Sequence, residues 1–254
     1  MQEFTRKRRA GIQMSAKTSH SCKLDNGIAR AFGEVSLRDL IYISEEERWQ
    51  NYAHNMAQEL TPDMVDGNGL IINQGAMTFF VMNRYSVAYG GCGAIALYNT
   101  IKILDPDSEV TFPQIIYWTE PYGILNNALG IAPWGITNTL NGMGYKTKFC
   151  FFKNADKISE LASEADAAVT LYIRKSLSAH YVAFHAAGTD KSGQQNFKFY
   201  NEIYGAGNDT RTYQSFIKNH GIWNLKDAKK KYTSKKAPGE AELISIVILV
   251  NKAD

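Results

Sequence analysis

The sequence predicts an α+β protein in which a helical part comes first and an antiparallel sheet follows. Three observations carry this. From Cys92 to Leu104 apolar residues lie on every side of a helical wheel, the mark of a helix inside the protein rather than on its surface. After residue 167 the chain turns to short runs rich in β-branched and aromatic residues, separated by turn residues. The convincing helical periods lie mostly upstream of those runs, and this order of elements belongs to the α+β class.

Taken in order, residues 1–39 have little periodicity and read as a mobile N-terminal arm. Residues 40–67 read as a helix that packs on the body or acts as a prosegment. Ser44 and Glu47 match a capping box, and Trp49, Tyr52, Ala53, Met56 and Leu60 form an apolar stripe before Thr61-Pro-Asp63. Residues 66–91, rich in glycine and aromatics, predict an irregular, tightly packed segment. The buried helix starts at Cys92 and is stopped by Asp105-Pro106. Helices are expected near Pro113–Trp118, Trp134–Gly142 and residues 156–165, with a strand at 146–152. Ala168–Ile173, Tyr181–Phe184, Phe197–Tyr200 and Leu243–Val250 are expected strands, with Lys191–Gln195 as a hairpin loop. Thr212–Asn219 suits a short helix, and Lys226–Lys236 a solvated excursion.

The 254 residues carry 28 Lys+Arg against 25 Asp+Glu, too small an excess to point to nucleic acid. A chain of this length buries about three quarters of its unfolded surface and needs no metal or disulfide to fold. The longest apolar stretch, Leu243–Val250, is far short of the roughly 20 residues of a membrane span. Arg6–Arg9 is followed by a polar stretch, so no signal peptide is read and the expected location is cytoplasmic. Gly142-Met-Gly144 lacks a phosphate-loop frame, and Asp105, Asp107 and Glu109 lack a calcium loop's glycine and spacing. Trp118, Trp134, Tyr117 and Tyr122 read as core or cleft wall, so no cofactor and no metal is expected.

Three cysteines, Cys22, Cys92 and Cys150, form no CxxC pair and so no zinc ribbon. Cys150, in an apolar strand, reads as a small hydrophobe. Cys92 stands between Gly91 and Gly93 at the start of the buried helix. The helix end favours thiolate over thiol, its N–H groups offer half an oxyanion hole, and the glycines permit close approach. The opposing reading is a core residue after a glycine turn. A thiolate nucleophile needs a base and an orienting group. Of five histidines, His180 opens a strand, and the returning hairpin brings Asn201 near its level, where the amide oxygen can accept from the ring. His180 and His185 are an odd five residues apart and face opposite sides, with His180 expected to face the cysteine helix.

The order Cys92…His180…Asn201, with Gly-Cys-Gly opening an apolar helix, resembles the papain-like cysteine peptidases. His180-Tyr-Val-Ala-Phe-His-Ala-Ala-Gly188 is similar to that family's histidine strand, and Asn201-Glu-Ile-Tyr-Gly205 to its asparagine turn. The Cys-to-His interval of 88 residues (180 − 92) suits the compact bacterial branch similar to the C39-like, bacteriocin-leader peptidases. The resemblance covers about residues 68–254 and implies a papain-like catalytic domain there. It implies a cysteine peptidase in which Cys92 attacks, His180 moves the proton and Asn201 orients His180, with a peptide or protein as substrate. The family's Gln, six residues before the cysteine, is replaced by Ser86; Asn83 and then Gln74 are the candidate oxyanion amides. An acyltransferase or amidase using the same triad, and a non-catalytic papain-like module binding peptides, remain the alternatives.

Overall fold

In the computed structural model, described for residues 43–124, 127, 130–151, 154–174, 178–202, 209–220 and 245–253, helix α1 spans Glu45–Met56. Ser44 and Glu47 form the expected capping box. The docking face differs from the expected apolar stripe. Trp49 and Met56 are exposed, and Leu60 lies beyond the helix end. The stripe docks only in part, through Trp49 and Tyr52 on Tyr117, and the rest of the inward face is polar. Arg48 donates to the Tyr117 carbonyl at 2.8 Å, and Asn51 Nδ2 donates to the Asn83 carbonyl and to Glu120 Oε1. The fully buried Asn55 exchanges two hydrogen bonds with the backbone of Val81, as a paired strand would. These residues recur at helical spacing. The period is therefore right, but hydrogen bonds to backbone share the docking with the rings of Trp49 and Tyr52, which pack on Tyr117.

The following segment is irregular, as expected, but only partly buried, with Phe79, Tyr85 and Tyr89 exposed. It holds a 3-10 turn (Gln74–Ala76), a two-stranded hairpin of β1 (Val81–Met82) and β2 (Tyr85–Ser86), and the one-turn helix α2 (Val87–Gly90). Asn83, at φ 53°, turns the hairpin. Helix α3 spans Cys92–Leu104 and is buried on nearly every side. Its Asn99 bonds both the N–H and the carbonyl of Ile71, satisfying the polar groups of the segment laid over it. Helix α4 (Phe112–Thr119) starts at a second capping box, Thr111 with Gln114, and runs into a 3-10 turn, Glu120–Tyr122. Helix α5 is Pro133–Gly142.

The sheet begins earlier than the run of C-terminal strands suggested. Strand β3 (Lys146–Phe151) precedes α6 (Ala155–Ser163) and lies in the same sheet as β4 (Ala167–Ile173), β5 (Ala179–Thr189), β6 (Gln195–Tyr200), β7 (Asp209–Arg211) and β8 (Ser245–Asn251). Helix α7 (Tyr213–His220) joins between β7 and β8. The order is β3-β8-β4-β5-β6-β7 and every pairing is antiparallel. Strand β8, at the end of the chain, thus lies inside the sheet. Alternation along the strands separates two cores. Ala167, Val169, Tyr181, Ala183, Ile248 and Val250 join α3, α4 and α5 on one face. Ala168, Tyr172, Val182, Phe184, Val247 and Leu249 join α6 and α7 on the other. Cys150 is buried in this second core, consistent with a small hydrophobe.

The expected mobile arm (residues 1–39), with Cys22, the first residues of the segment 40–67, and the Lys-rich stretch 226–236 lie outside the described residues. Among the described residues no helix is long and apolar enough to cross a membrane.

Candidate active site

Strand β6 leaves the sheet one residue after Tyr200. The ladder between β5 and β6 begins at the pair Ala183–Tyr200, and Asn201 turns the chain away at φ 62°. An asparagine tolerates this left-handed backbone better than most residues. The start of β5, Ala179–Val182, is thereby left without a β6 partner. The N-terminus of α3 fills that edge. Gly93 makes this possible: a Cβ there would collide with Ile131 and press on Tyr181, whose hydroxyl bonds the Ile131 carbonyl at 2.9 Å.

The backbone N–H groups of Tyr181, Gly93 and Cys92 itself and the positive charge of Arg174 act electrostatically on the Cys92 thiol. Each favours thiolate. Burial opposes them and is the larger effect, so the Cys92 thiol is held above its ordinary range. The helix end does favour the thiolate, but desolvation outweighs it, opposite to the expected lowering.

His180 is 4% exposed and its ring is fully engaged. Arg174 donates to Nδ1 at 2.9 Å, and because a guanidinium only donates, the ring proton sits on Nε2. Nε2 in turn donates to the Asn201 carbonyl at 2.8 Å. The ring stands edge-on to Tyr172, its cross-strand neighbour. Burial first, then the Arg174 charge, lowers the His180 pKa to about 3, so the ring is neutral. His180 shares its parity with Val182 and Phe184, which pack in the core opposite α3. The expectation that His180 faces the cysteine helix is therefore corrected. The two histidines do take opposite faces, but His185 shares the α3 face with Tyr181 and Ala183 and packs on Tyr200. The register of β4 with β5, rather than proximity to the strand mouth, sets the face that His180 takes.

Asn201 meets His180 through its backbone, where a side-chain contact was expected. Its side chain instead holds Gln74: Oδ1 accepts from the Gln74 N–H at 3.1 Å, and Nδ2 donates to Gln74 Oε1 at 3.3 Å. Gln74 Nε2 donates to the carbonyls of Val87 and Ala88. One hydrogen-bonded chain thus runs from His180 through Asn201 and Gln74 to the turn before Cys92. With its amide used in this way, Gln74 presents no side-chain donor to an oxyanion in this conformation. Asn83 is committed elsewhere: its N–H bonds Glu120 Oε1 and its side chain packs on Gly123. Ser86 is the residue before α2 and makes no side-chain cap. The donors that do converge near the sulfur are backbone N–H groups.

The structure therefore brings together Cys92, Tyr181, Arg174, His180, Asn201 and Gln74 at one end of the sheet. Arg174 and the Tyr181 N–H were missed in the sequence. Hairpin parity was the available signal for Arg174, since residues 172, 174 and 180 share a face once Tyr172 pairs with His180. Among the described residues there is no group of three or more His, Cys, Asp or Glu side chains able to hold a metal ion.

No family model matches the chain, and no curated protein matches it. Among solved structures, the chain is similar to the Pseudomonas avirulence protein AvrPphB, at 7% identity and a TM-score of 0.28, over 63% of this chain and 89% of that one.

Proposed function

We propose that the chain is a cysteine-dependent hydrolase of peptide or amide bonds, of the papain-like kind, with Cys92 as nucleophile. The observation that supports this best is the seat of the thiol: Cys92 begins a buried helix that Gly93 lets approach Tyr181 at the start of β5, with backbone N–H groups and the Arg174 charge acting on it. Such an array stabilises a thiolate and, after attack, the developing oxyanion. In the proposed reaction the start of β5 rearranges, so that His180 leaves Arg174 and the face opposite α3, reaches the sulfur and takes the thiol proton. The Cys92 sulfur attacks the amide carbonyl. His180 then gives the proton to the leaving amine as the C–N bond breaks, leaving a thioester. Water, deprotonated by His180, hydrolyses the thioester and restores the thiol. The Asn201 carbonyl accepts from His180 Nε2 and orients the ring, and Gln74 fixes Asn201.

A peptide carrying a C-terminal electrophile tests the reading. It should attach to Cys92 alone, and both labelling and turnover should vanish in Cys92→Ala. Labelling without turnover, or equal labelling of Cys150, would refute it. One specific observation favours a second reading, a papain-like module that binds without cleaving: both His180 nitrogens are already bonded and the thiol is held up. Under that reading His180→Ala leaves the alkylation rate of Cys92 unchanged whether or not a peptide is bound.

A further inference from the structure

Glu120 opens the 3-10 turn after α4 and is 2% exposed. Its Oε1 accepts from the Asn83 N–H and from Asn51 Nδ2 of α1, each at 2.7 Å, whereas Oε2 is buried and finds no hydrogen-bond partner among the described residues. An ionised carboxylate offers about four acceptor positions, and a bare oxygen in a dry site is costly to charge. The neutral acid avoids that cost and still keeps Oε1 as the shared acceptor. The surrounding groups do not reverse this. Arg48 acts on Glu120 from α1, but its terminal nitrogens donate to Glu45 and to the Tyr117 carbonyl. Glu47, also on α1, opposes ionisation and pairs with Arg84 of the hairpin at 3.3 Å. Tyr117 of α4 donates to Glu45 and is pushed up to about 12, chiefly by burial, so it stays neutral near pH 7. Tyr52 of α1 packs its ring on Tyr117. His54, in the last turn of α1, donates from Nε2 to the Phe79 carbonyl, a bond that either charge state of the ring can make. Burial accordingly raises Glu120 to about 7.

Helix α1 is an element able to respond. Asn55 is its only buried residue, and it is held by hydrogen bonds to backbone and by rings packed on Tyr117. Regions with few buried apolar contacts open at a lower cost than the whole molecule. We propose that α1 is a proton-gated strap, docked on the β1–β2 hairpin while Glu120 is neutral and lifted from it when Glu120 ionises. Lifting releases three holds on the hairpin together: Asn55 on Val81, Asn51 on Asn83 and Glu47 on Arg84. The hairpin runs through Ser86 into α2 and on to Cys92, so the strap bears on the segment in front of the cysteine helix. The inference does not depend on the chemistry of Cys92.

Amide hydrogen exchange followed by mass spectrometry tests it, with each rate divided by the intrinsic rate at the same pH. The protection of peptides covering Glu45–Met56 should fall by about ten-fold or more between pH 5 and pH 8, because the docked form holds a proton that the lifted form releases. Peptides covering Cys92–Leu104 should keep their protection over the same range. Glu120→Gln, which keeps an acceptor oxygen and carries no charge, should leave α1 protected at both pH values. Equal protection of α1 at pH 5 and pH 8 in the unaltered protein overturns the proposal. So does a parallel loss in α3, which is global unfolding, and so does an undiminished fall in Glu120→Gln, which assigns the effect to another group such as His54. If the variant does not fold, the comparison of α1 with α3 in the unaltered protein still decides between a local and a global response.

Discussion

At Cys92 two large effects oppose one another, helix-end and strand N–H groups against burial, and burial is the stronger. The alkylation rate of Cys92 should accordingly rise only above the ordinary thiol range of roughly 8.5, until a ligand opens the site. A limb below that value in the unliganded protein would contradict this balance. His180 gives the second prediction at this scale. Its folded pKa of about 3 lies below the unfolded value near 6.5, so between them the unfolded chain binds the extra proton. Stability present above pH 6.5 is therefore lost as pH falls toward 3. Replacing His180 by Gln should flatten that acid limb in urea unfolding curves followed pH by pH. An unchanged limb would show that the ring is not held neutral. The identity of these residues was legible in the sequence, because a cysteine between glycines at an apolar helix start is a local pattern. Their orientation was not. The face His180 takes depends on the register between β4 and β5, and Arg174 matters only once that register places it on the ring.

Elements show the same division. The bounds of α3 were readable because Gly91 and Asp105-Pro106 mark both ends. The docking of α1 was not, because Asn51 and Asn55 meet backbone whose path comes from distant sequence. Glu120, which accepts from Asn51 and from the Asn83 N–H, is raised to about 7 by burial. Its folded pKa exceeds the unfolded one, so stability present below about pH 4.5 is lost as pH rises through 7. Glu120→Gln should therefore lose less Tm than the unaltered protein between pH 5 and pH 8. Equal losses would mean that Glu120 is not the group responsible. At the start of α3, Gly93→Ala brings a Cβ into Ile131. The clash should cost about 1–3 kcal/mol, more than the helical gain of alanine over glycine, roughly 1 kcal/mol. In a double-mutant cycle Gly93→Ala with Ile131→Ala should destabilise less than the sum of the single changes. Strict additivity would place Ile131 away from Gly93.

For the whole molecule the decisive feature is β8. It pairs with β3 on one side and β4 on the other, so the last described strand holds the first strand of the sheet in place. Val247 and Leu249 fill one core, Ile248 and Val250 the other. Removing residues 245–254 should therefore abolish cooperative unfolding altogether, whereas a peripheral strand would cost only part of the stability. The α+β class was readable from the order of patterns, yet the sheet's strand order was not, because it depends on which distant strands pair. That order places Cys92 and the β4–β5 hairpin mouth at one end of the sheet. The most direct measurement of what this arrangement does is intact-mass and peptide mapping after treatment with a peptide bearing a C-terminal electrophile, on the unaltered protein and on His180→Ala. The account predicts one adduct, on Cys92, formed at least ten-fold more slowly when His180 is absent. An adduct on Cys22 or Cys150, or a Cys92 rate indifferent to His180, would contradict it.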